Sequence, residues 1–248
     1  MITAILNGYR RGNNLDQQIN ALNSQSIKPR DVLLWYNSPG EGFNFNYEAI
    51  NRTRATISNF NYGVWARFAF ALNARTKYVC IFDDDTIPGD HWFENCLETV
   101  KTTPGLLGTN GLIFHDKNDY HNHERHGWIN PNEQTIQVDL VGHTWFFERD
   151  YLSAMWAELP PLNLSFLCGE DMHFSYTLQK HMQINTYVPP HPKSDTSLWG
   201  SLHGWELGTD NNAISLLHVQ PNQNQVFRTE VNDYFKELIS RGWKLLAV

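Results

Sequence analysis

Short runs of apolar residues alternate with amphipathic segments along most of the chain. The runs at 2–6 and 32–36 are rich in β-branched and bulky residues, which is typical of buried strands. Between them, Leu15, Ile19 and Leu22 recur at the spacing of one helix face. Strand, helix and strand in this order predict a βαβ unit, in which the two strands run parallel and the helix covers one face of the sheet.

The same alternation continues to about residue 188. Further strands are predicted at 55–58, 78–82, 106–114, 135–147 and 184–188. Further helices are predicted at 64–74, 90–104, 149–158, 169–182 and 233–241, while 41–54, 115–132 and 193–212 are predicted to be loops. The fold class is therefore α/β, with a mostly parallel central sheet, helices on both faces and an irregular C-terminal tail that ends in a helix.

Composition narrows the classes of protein. A chain of 248 residues with 41% hydrophobic residues is long enough for one large domain, 1–248. The net charge of -7 argues against a nucleic-acid partner. Neither a signal peptide nor an apolar run of transmembrane length is visible, and Cys80, Cys96 and Cys168 lack metal-binding spacing. These features predict a soluble, cytoplasmic protein.

Three consecutive carboxylates, Asp83, Asp84 and Asp85, directly follow the predicted strand 78–82. Adjacent acids repel one another, and a core does not stabilise them. A hard divalent cation does, because carboxylate oxygens suit Mg²⁺ or Mn²⁺. Ligands of open α/β sheets bind outside the carboxyl ends of the strands, which is where these acids lie. The alternative is an exposed acidic turn in which Asp85 caps a helix.

The order of three motifs adds a family resemblance. An Asn-Tyr-Gly-Val-Trp-Ala-Arg stretch (61–67) precedes the acids, and Gly169-Glu170-Asp171 follows them at the start of a predicted helix. From about residue 2 to residue 188 the chain resembles a GT-A-fold glycosyltransferase of the family-2-like, metal-dependent kind that uses nucleotide sugars. The resemblance implies a Rossmann-like GT-A domain with a nucleotide-binding half, 1–115, and an acceptor-binding half with the C-terminal tail, 116–248.

The resemblance also implies roles for residues of the donor site. Asp85, with Asp83, would hold Mn²⁺ or Mg²⁺ on the diphosphate, and Asp84 would bind the ribose. The nucleotide would further contact Gly8, Tyr9, Arg10, Asn37 and Arg67. For Arg67 the alternative is a surface arginine that lies along its helix.

A further metal ligand is expected beyond the last strand. Asp195 lies nearest the position at which the family usually has histidine, and His191 is close to it. His203 and His218 are more distant candidates.

For catalysis, the resemblance places Asp171, beside Glu170, at the position of the general base that activates the acceptor hydroxyl. The alternative is that both acids simply cap a helix N-terminus. A base that acts opposite the leaving group predicts inversion at the anomeric carbon.

Aromatic and histidine residues are candidates for sugar contacts. Gly142, His143 and Trp145 lie where related enzymes contact donor sugar or acceptor, although Trp145 fits a core position equally well. Trp199 and Trp205 are predicted to contact the acceptor. The pair His121 and His123 lacks the spacing of a zinc set and is predicted to lie in a solvated loop.

The resulting hypothesis is an inverting glycosyltransferase that moves a sugar from a nucleotide-diphosphate sugar, with UDP-sugar favoured, to a hydroxyl of a glycan or glycoconjugate acceptor. One alternative is a sugar-1-phosphate nucleotidyltransferase, although the loop 7–12 is a poor match to its glycine-rich, basic first loop. The other is a non-catalytic carbohydrate-binding module whose acids hold a structural cation.

Overall fold

The computed structural model describes residues 1–208 and 221–248, and the side chains of 1–208 and 227–248. Its strands are β1 (Ile2–Gly8), β2 (Asp31–Tyr36), β3 (Arg54–Ile57), β4 (Tyr78–Phe82), β5 (Leu106–Leu107), β6 (Asn110–Phe114), β7 (His123–Gly127), β8 (Ile136–Val138), β9 (Leu140–Gly142), β10 (Thr144–Glu148) and β11 (Thr186–Val188). Its α-helices are α1 (Asn14–Ser24), α2 (Tyr47–Asn51), α3 (Ala66–Phe70), α4 (Trp92–Thr102), α5 (Leu152–Met155), α6 (Glu170–Met182), α7 (Gly204–Gly208) and α8 (Pro221–Ser240).

Eight strands form the central sheet in the order β3-β2-β1-β4-β10-β5-β11-β8. The first four run parallel, as do β5 and β11, whereas β10 and β8 run antiparallel to their neighbours. Helices cover both faces, and the chain beyond β11 is less regular. This architecture confirms the predicted α/β fold class and its mostly parallel sheet.

A second sheet of three antiparallel strands, β7-β6-β9, was not predicted. The predicted strand 106–114 is in fact two strands, because β5 pairs within the central sheet and β6 within the small one. The predicted loop 115–132 contains β7, whose sequence His-Glu-Arg-His-Gly has no apolar period. Pairing with β6 rather than its own side-chain pattern makes this segment a strand.

The helices also differ from the prediction in three places. The predicted loop 41–54 contains α2, where the Asn46 side chain accepts a hydrogen bond from the Ala49 amide at 3.0 Å. The helix predicted at 64–74 is shorter and ends in a 3₁₀ turn, in which Leu72 is exposed. The terminal helix begins at Pro221, well before residue 233.

The apolar residues form a core on each face of the central sheet and a third core between the small sheet, α6 and α8. All three cysteines are buried and form no disulfide, so they pack like small apolar residues. The third core fixes α6 against β6 and β9, so the N-terminus of α6 faces the carboxyl end of β4. A site between the two sheets follows from this packing.

Across the described part of the chain, no helix combines the length and apolar content needed to cross a bilayer.

Candidate active site

A cavity of about 490 Å³ opens where β1, β2 and β4 end. Its walls come from the acids after β4, the start of α6, the small sheet and α8. The described residues that line it include Asn7, Tyr9, Arg11, Asn37, Arg67, Asp83, Asp84, Asp85, Tyr120, His123, Arg125, His143, Trp145, Glu170, Asp171 and Arg228. The carboxyl end of an open α/β sheet is the usual location of a ligand site.

The backbone of the acidic turn is held from two sides. The Asp83 amide donates to the His143 carbonyl at 3.0 Å, which ties the turn to the segment before β10. From α1, the Asn14 side chain donates to the Asp84 carbonyl at 2.9 Å and Gln18 donates to the Asp83 carbonyl at 2.6 Å. The three carboxylates are therefore presented by a fixed backbone.

Arg11 neutralises one side of the acidic turn. Its Nη1 atom lies 2.7 Å from Asp84 Oδ1 and 3.4 Å from Asp85 Oδ2. The sequence had singled out its neighbour Arg10, but the Arg10 guanidinium lies over the rings of Tyr9 and Phe43 and does not line the cavity. Two adjacent arginines in a loop give no sequence signal for which of them faces the acids.

Arg67 joins the acidic turn to α6. Its Nη1 donates to Asp83, its Nη2 donates to Glu170 at 2.8 Å, and its guanidinium lies 4.6 Å from the centre of the Trp145 ring. The side chain is only 3% exposed, so the alternative of a surface arginine is wrong. Trp145 is 2% exposed, and it serves as a core residue that also forms the cavity wall behind Arg67.

The start of α6 depends on Gly169, whose φ of +89° lies in the left-handed region. A Cβ atom there would also lie 2.8 Å from the Tyr234 ring. This turn directs Glu170 towards Arg67 and leaves Asp171 on the cavity wall, where its Oδ1 accepts from the Met172 amide at 2.7 Å. Glu170 is therefore held by Arg67, and Asp171 is the one of these two acids that is left to contact a substrate.

Burial and mutual repulsion raise the pKa of several of these acids. Burial, followed by the charge of Asp171, raises the pKa of Glu170 to about 8. Burial raises the pKa of Asp171 to about 6 and that of Asp84 to about 7, although Arg11 opposes the shift at Asp84. Strongly shifted acids in one cavity are typical of a functional site.

A possible metal site is formed by Asp83, Asp85 and His143. Each offers one ligand atom, and these atoms all lie within 4.8 Å of one another. His143 Nδ1 lies 3.5 Å from Asp85 Oδ1. Burial lowers the pKa of His143, but Asp85 and Asp83 outweigh it and the net shift is upward. Two carboxylates and an imidazole in one cavity suit Mn²⁺ or Mg²⁺.

The described residues that the sequence predicts as a further metal ligand lie away from the Asp83–Asp85–His143 set. His191 is fully buried, and its ring nitrogens bond Thr109 Oγ1 and the Pro189 carbonyl, both at 2.8 Å. Asp195 is exposed and accepts from the Ser197 amide at 3.1 Å. His203 is exposed beside Glu206, and His218 lies outside the described residues. Neither His191 nor Asp195 lines the cavity.

Of the other residues predicted to contact the nucleotide or the acceptor, some line the cavity and others do not. Tyr9 and Asn37 line the cavity, and Asn37 is held by the Tyr62 amide at 3.0 Å and the Gly63 carbonyl at 3.2 Å. Gly8 packs against the Tyr36 ring and is not part of the wall. Trp199 and Trp205 do not line the wall either; Trp199 donates to the Pro192 carbonyl, and Trp205 packs on Trp128.

Comparisons with known proteins give one family match over part of the chain and several solved structures of similar fold. The model of glycosyl transferase family 2 matches residues 48–159, a range that contains the acidic turn and Arg67. A structure of residues 1–349 of S. aureus TarS in complex with UDP is 14% identical, with a TM-score of 0.50 over 75% of this chain and 59% of that one. The mannosyltransferase PcManGT from Pyrobaculum calidifontis, in complex with GDP-Man and Mn²⁺, is 15% identical, with a TM-score of 0.48 over 97% and 73%.

The chain spans 36% of the length of another S. aureus TarS structure. No curated protein matches it by sequence. The shared architecture defines the class as the GT-A fold. Within that class, residues 48–159 match the model of glycosyl transferase family 2, in line with the resemblance that the motifs of the sequence imply.

Proposed function

We propose that this domain is an inverting glycosyltransferase that transfers a sugar from a nucleotide-diphosphate sugar to a hydroxyl of a glycan acceptor. The observation that carries the proposal is that one cavity holds both the Asp83–Asp85–His143 set and the Asp171 carboxylate. Arg67 bonds Asp83 and Glu170 at once, and it thereby fixes the spacing between the two groups of acids.

Asp83, Asp85 and His143 are the residues that would hold the divalent cation. When bound, the cation supplies charge that stabilises the departing diphosphate. Asp84, which Arg11 bonds at 2.7 Å, is assigned to the ribose hydroxyls, and Tyr9 and Asn37 to the base. UDP is the favoured nucleotide, since the TarS domain of the same fold is described in complex with UDP.

Asp171 is assigned the proton transfer. The acceptor oxygen attacks the anomeric carbon, the bond from that carbon to the diphosphate oxygen breaks, and the hydroxyl proton moves to an Asp171 carboxylate oxygen. A raised pKa of about 6 suits this work, because Asp171 is mostly ionised near neutral pH yet is a stronger base than an ordinary aspartate. Attack from the face opposite the leaving group inverts the configuration.

Titration calorimetry with UDP- and GDP-sugars, each with and without Mn²⁺, tests the proposal. Binding that requires both the nucleotide and the metal is expected, followed by release of the nucleoside diphosphate in the presence of an acceptor. The absence of any metal-dependent nucleotide binding would refute the assignment.

The metal site gives a separate prediction. Asp85→Asn and His143→Gln are each expected to weaken Mn²⁺-dependent nucleotide binding roughly tenfold or more, because each removes a ligand from the set. Calorimetric titration of Mn²⁺ into the nucleotide-saturated protein measures this. Asp90→Asn, which alters an exposed acid outside the cavity, is the matched control and is expected to bind like the wild type. Unchanged Mn²⁺ affinity in His143→Gln would exclude the histidine from the set.

A further inference from the structure

Charge is divided unevenly along the walls of the cavity. Every carboxylate among its described lining residues comes from the acidic turn or from the start of α6, namely Asp83, Asp84, Asp85, Glu170 and Asp171. The wall formed by β7, the residues just before it and α8 instead carries cationic and titratable nitrogen groups, namely His121, His123, Arg125 and Arg228. The acids are assigned to the metal, the donor nucleotide and the acceptor proton, so the second wall calls for a different ligand group.

The alternation of β7 produces this second wall. His123 and Arg125 line the cavity. The intervening residue Glu124 does not, and it pairs with His126 at 3.3 Å and with His115 at 3.9 Å. Successive side chains of a strand point to opposite faces, so Glu124, the one acid of β7, lies on the face opposite Arg125. Arg125 therefore faces the cavity without Glu124 beside it.

Arg125 and Arg228 differ from the arginines that contact these acids. Arg11 and Arg67 are each held by two carboxylates. Arg125 donates through Nε to His123 Nε2 at 3.3 Å, and among the side chains that the structure describes neither Arg125 nor Arg228 has a carboxylate within ion-pair distance. Their fork of N–H donors is suited to a carboxylate or a phosphate.

Tyr120 also lines the cavity, with its ring centre 5.9 Å from that of His123. Burial raises the pKa of Tyr120 well above its usual value, the Asp171 charge raises it further, and the Arg125 charge opposes both. The charge of Arg125 also acts on His143. Asp171, Tyr120 and Arg125 line one cavity, so a ligand whose hydroxyl meets Asp171 can extend along the same cavity to Arg125.

We propose that the acceptor carries an anionic group, a carboxylate or a phosphate, which Arg125 and Arg228 bind while its hydroxyl meets Asp171. This rests on the proposed glycosyltransferase function and names the class of its acceptor. The protein's net charge of -7 and the five cavity carboxylates would otherwise repel an anionic acceptor, so a preference for an anion requires a dedicated subsite.

The test compares three acceptor probes of one shape: methyl glucoside, methyl glucuronide and methyl glucoside 6-phosphate. Each is titrated into the full chain saturated with UDP and Mn²⁺, and binding is followed by calorimetry and by ligand-observed NMR. The glucuronide or the 6-phosphate is expected to bind at least tenfold more tightly than the neutral glucoside, and which of them binds better separates a uronic acid from a phosphate as the source of the charge.

Arg125→Gln and Arg228→Gln are each expected to weaken binding of the preferred anion about tenfold, with little change for the neutral glucoside. Arg75→Gln, an exposed arginine outside the cavity, is the matched control and is expected to keep the full preference. Equal or weaker binding of both anions than of the glucoside, while UDP and Mn²⁺ still bind, overturns this inference and leaves the proposed function standing. Failure of UDP itself to bind with Mn²⁺ overturns both.

Discussion

Asp171→Asn is expected to lower turnover by about 10²–10⁴-fold while donor affinity stays within about twofold of the wild type. The amide has the same shape as the carboxylate and still offers an oxygen to the Met172 amide, which Asp171 bonds at 2.7 Å. It cannot accept the acceptor proton, so only the chemical step is affected. Single-turnover assays with saturating nucleotide sugar measure the loss, and calorimetry measures donor binding.

Asp150→Asn is the matched control, because its carboxylate is 90% exposed and lies outside the cavity. Its turnover is expected to equal that of the wild type. An equal loss of turnover and of donor binding in Asp171→Asn would mean that Asp171 is structural, which is the helix-cap alternative. Retention of configuration in the product would likewise contradict a base that attacks opposite the leaving group.

The pH dependence of kcat follows from the same residue. Burial raises the pKa of Asp171 to about 6, and the base works only in its ionised form. With donor saturating, kcat is expected to fall about tenfold per pH unit below pH 6 and to level off above it. This limb is expected to be absent from the residual activity of Asp171→Asn. A limb that persists in that variant would assign the titration to another group.

The sequence alone predicts those site residues that directly follow a strand or lie at the start of a helix. The acids follow a buried strand directly, and Gly169 precedes a helix start, so local pattern alone places Asp83, Asp85 and Asp171 at element ends. The parallel βαβ order then predicts that strand ends and helix starts meet at one edge of the sheet. The structure does bring these three side chains into one cavity.

The parts that depend on turns and on pairing between distant strands were not predictable in this way. His143 reaches Asp85 because it has a φ of +65° between β9 and β10, a backbone state that the sequence does not indicate for a histidine. His191, which lies in sequence close to the position at which the family usually has a histidine ligand, is in the core instead. The position of Arg125 on the cavity wall follows from β7, a strand without an apolar period.

Arg67→Met is expected to reduce the free energy of unfolding by about 3–5 kcal/mol, because it leaves Asp83 and Glu170 buried without their shared cation. The Met side chain fills similar space beside Trp145, so lost packing contributes little. Chemical denaturation at pH 8 measures the loss. Arg54→Met is the matched control: its partner Asp31 lies at 2.7 Å, but Arg54 is 77% exposed, and a surface pair of this kind contributes at most about 1 kcal/mol.

The deficit of Arg67→Met is expected to depend on pH. Burial, followed by the charge of Asp171, raises the pKa of Glu170 to about 8 even though Arg67 opposes the shift, and without Arg67 it rises further. A group whose pKa is raised in the folded state loses stability as pH rises between its unfolded and folded values. Up to about pH 8 the wild type and the variant lose this stability in parallel, so the deficit widens only above pH 8, where Glu170 ionises beside Arg67 in the wild type but not in the variant. It is therefore larger at pH 9.5 than at pH 6, and the double variant Arg67→Met/Glu170→Gln recovers part of it at pH 9.5. A deficit equal at both pH values and unchanged in the double variant would show that Arg67 acts through packing alone.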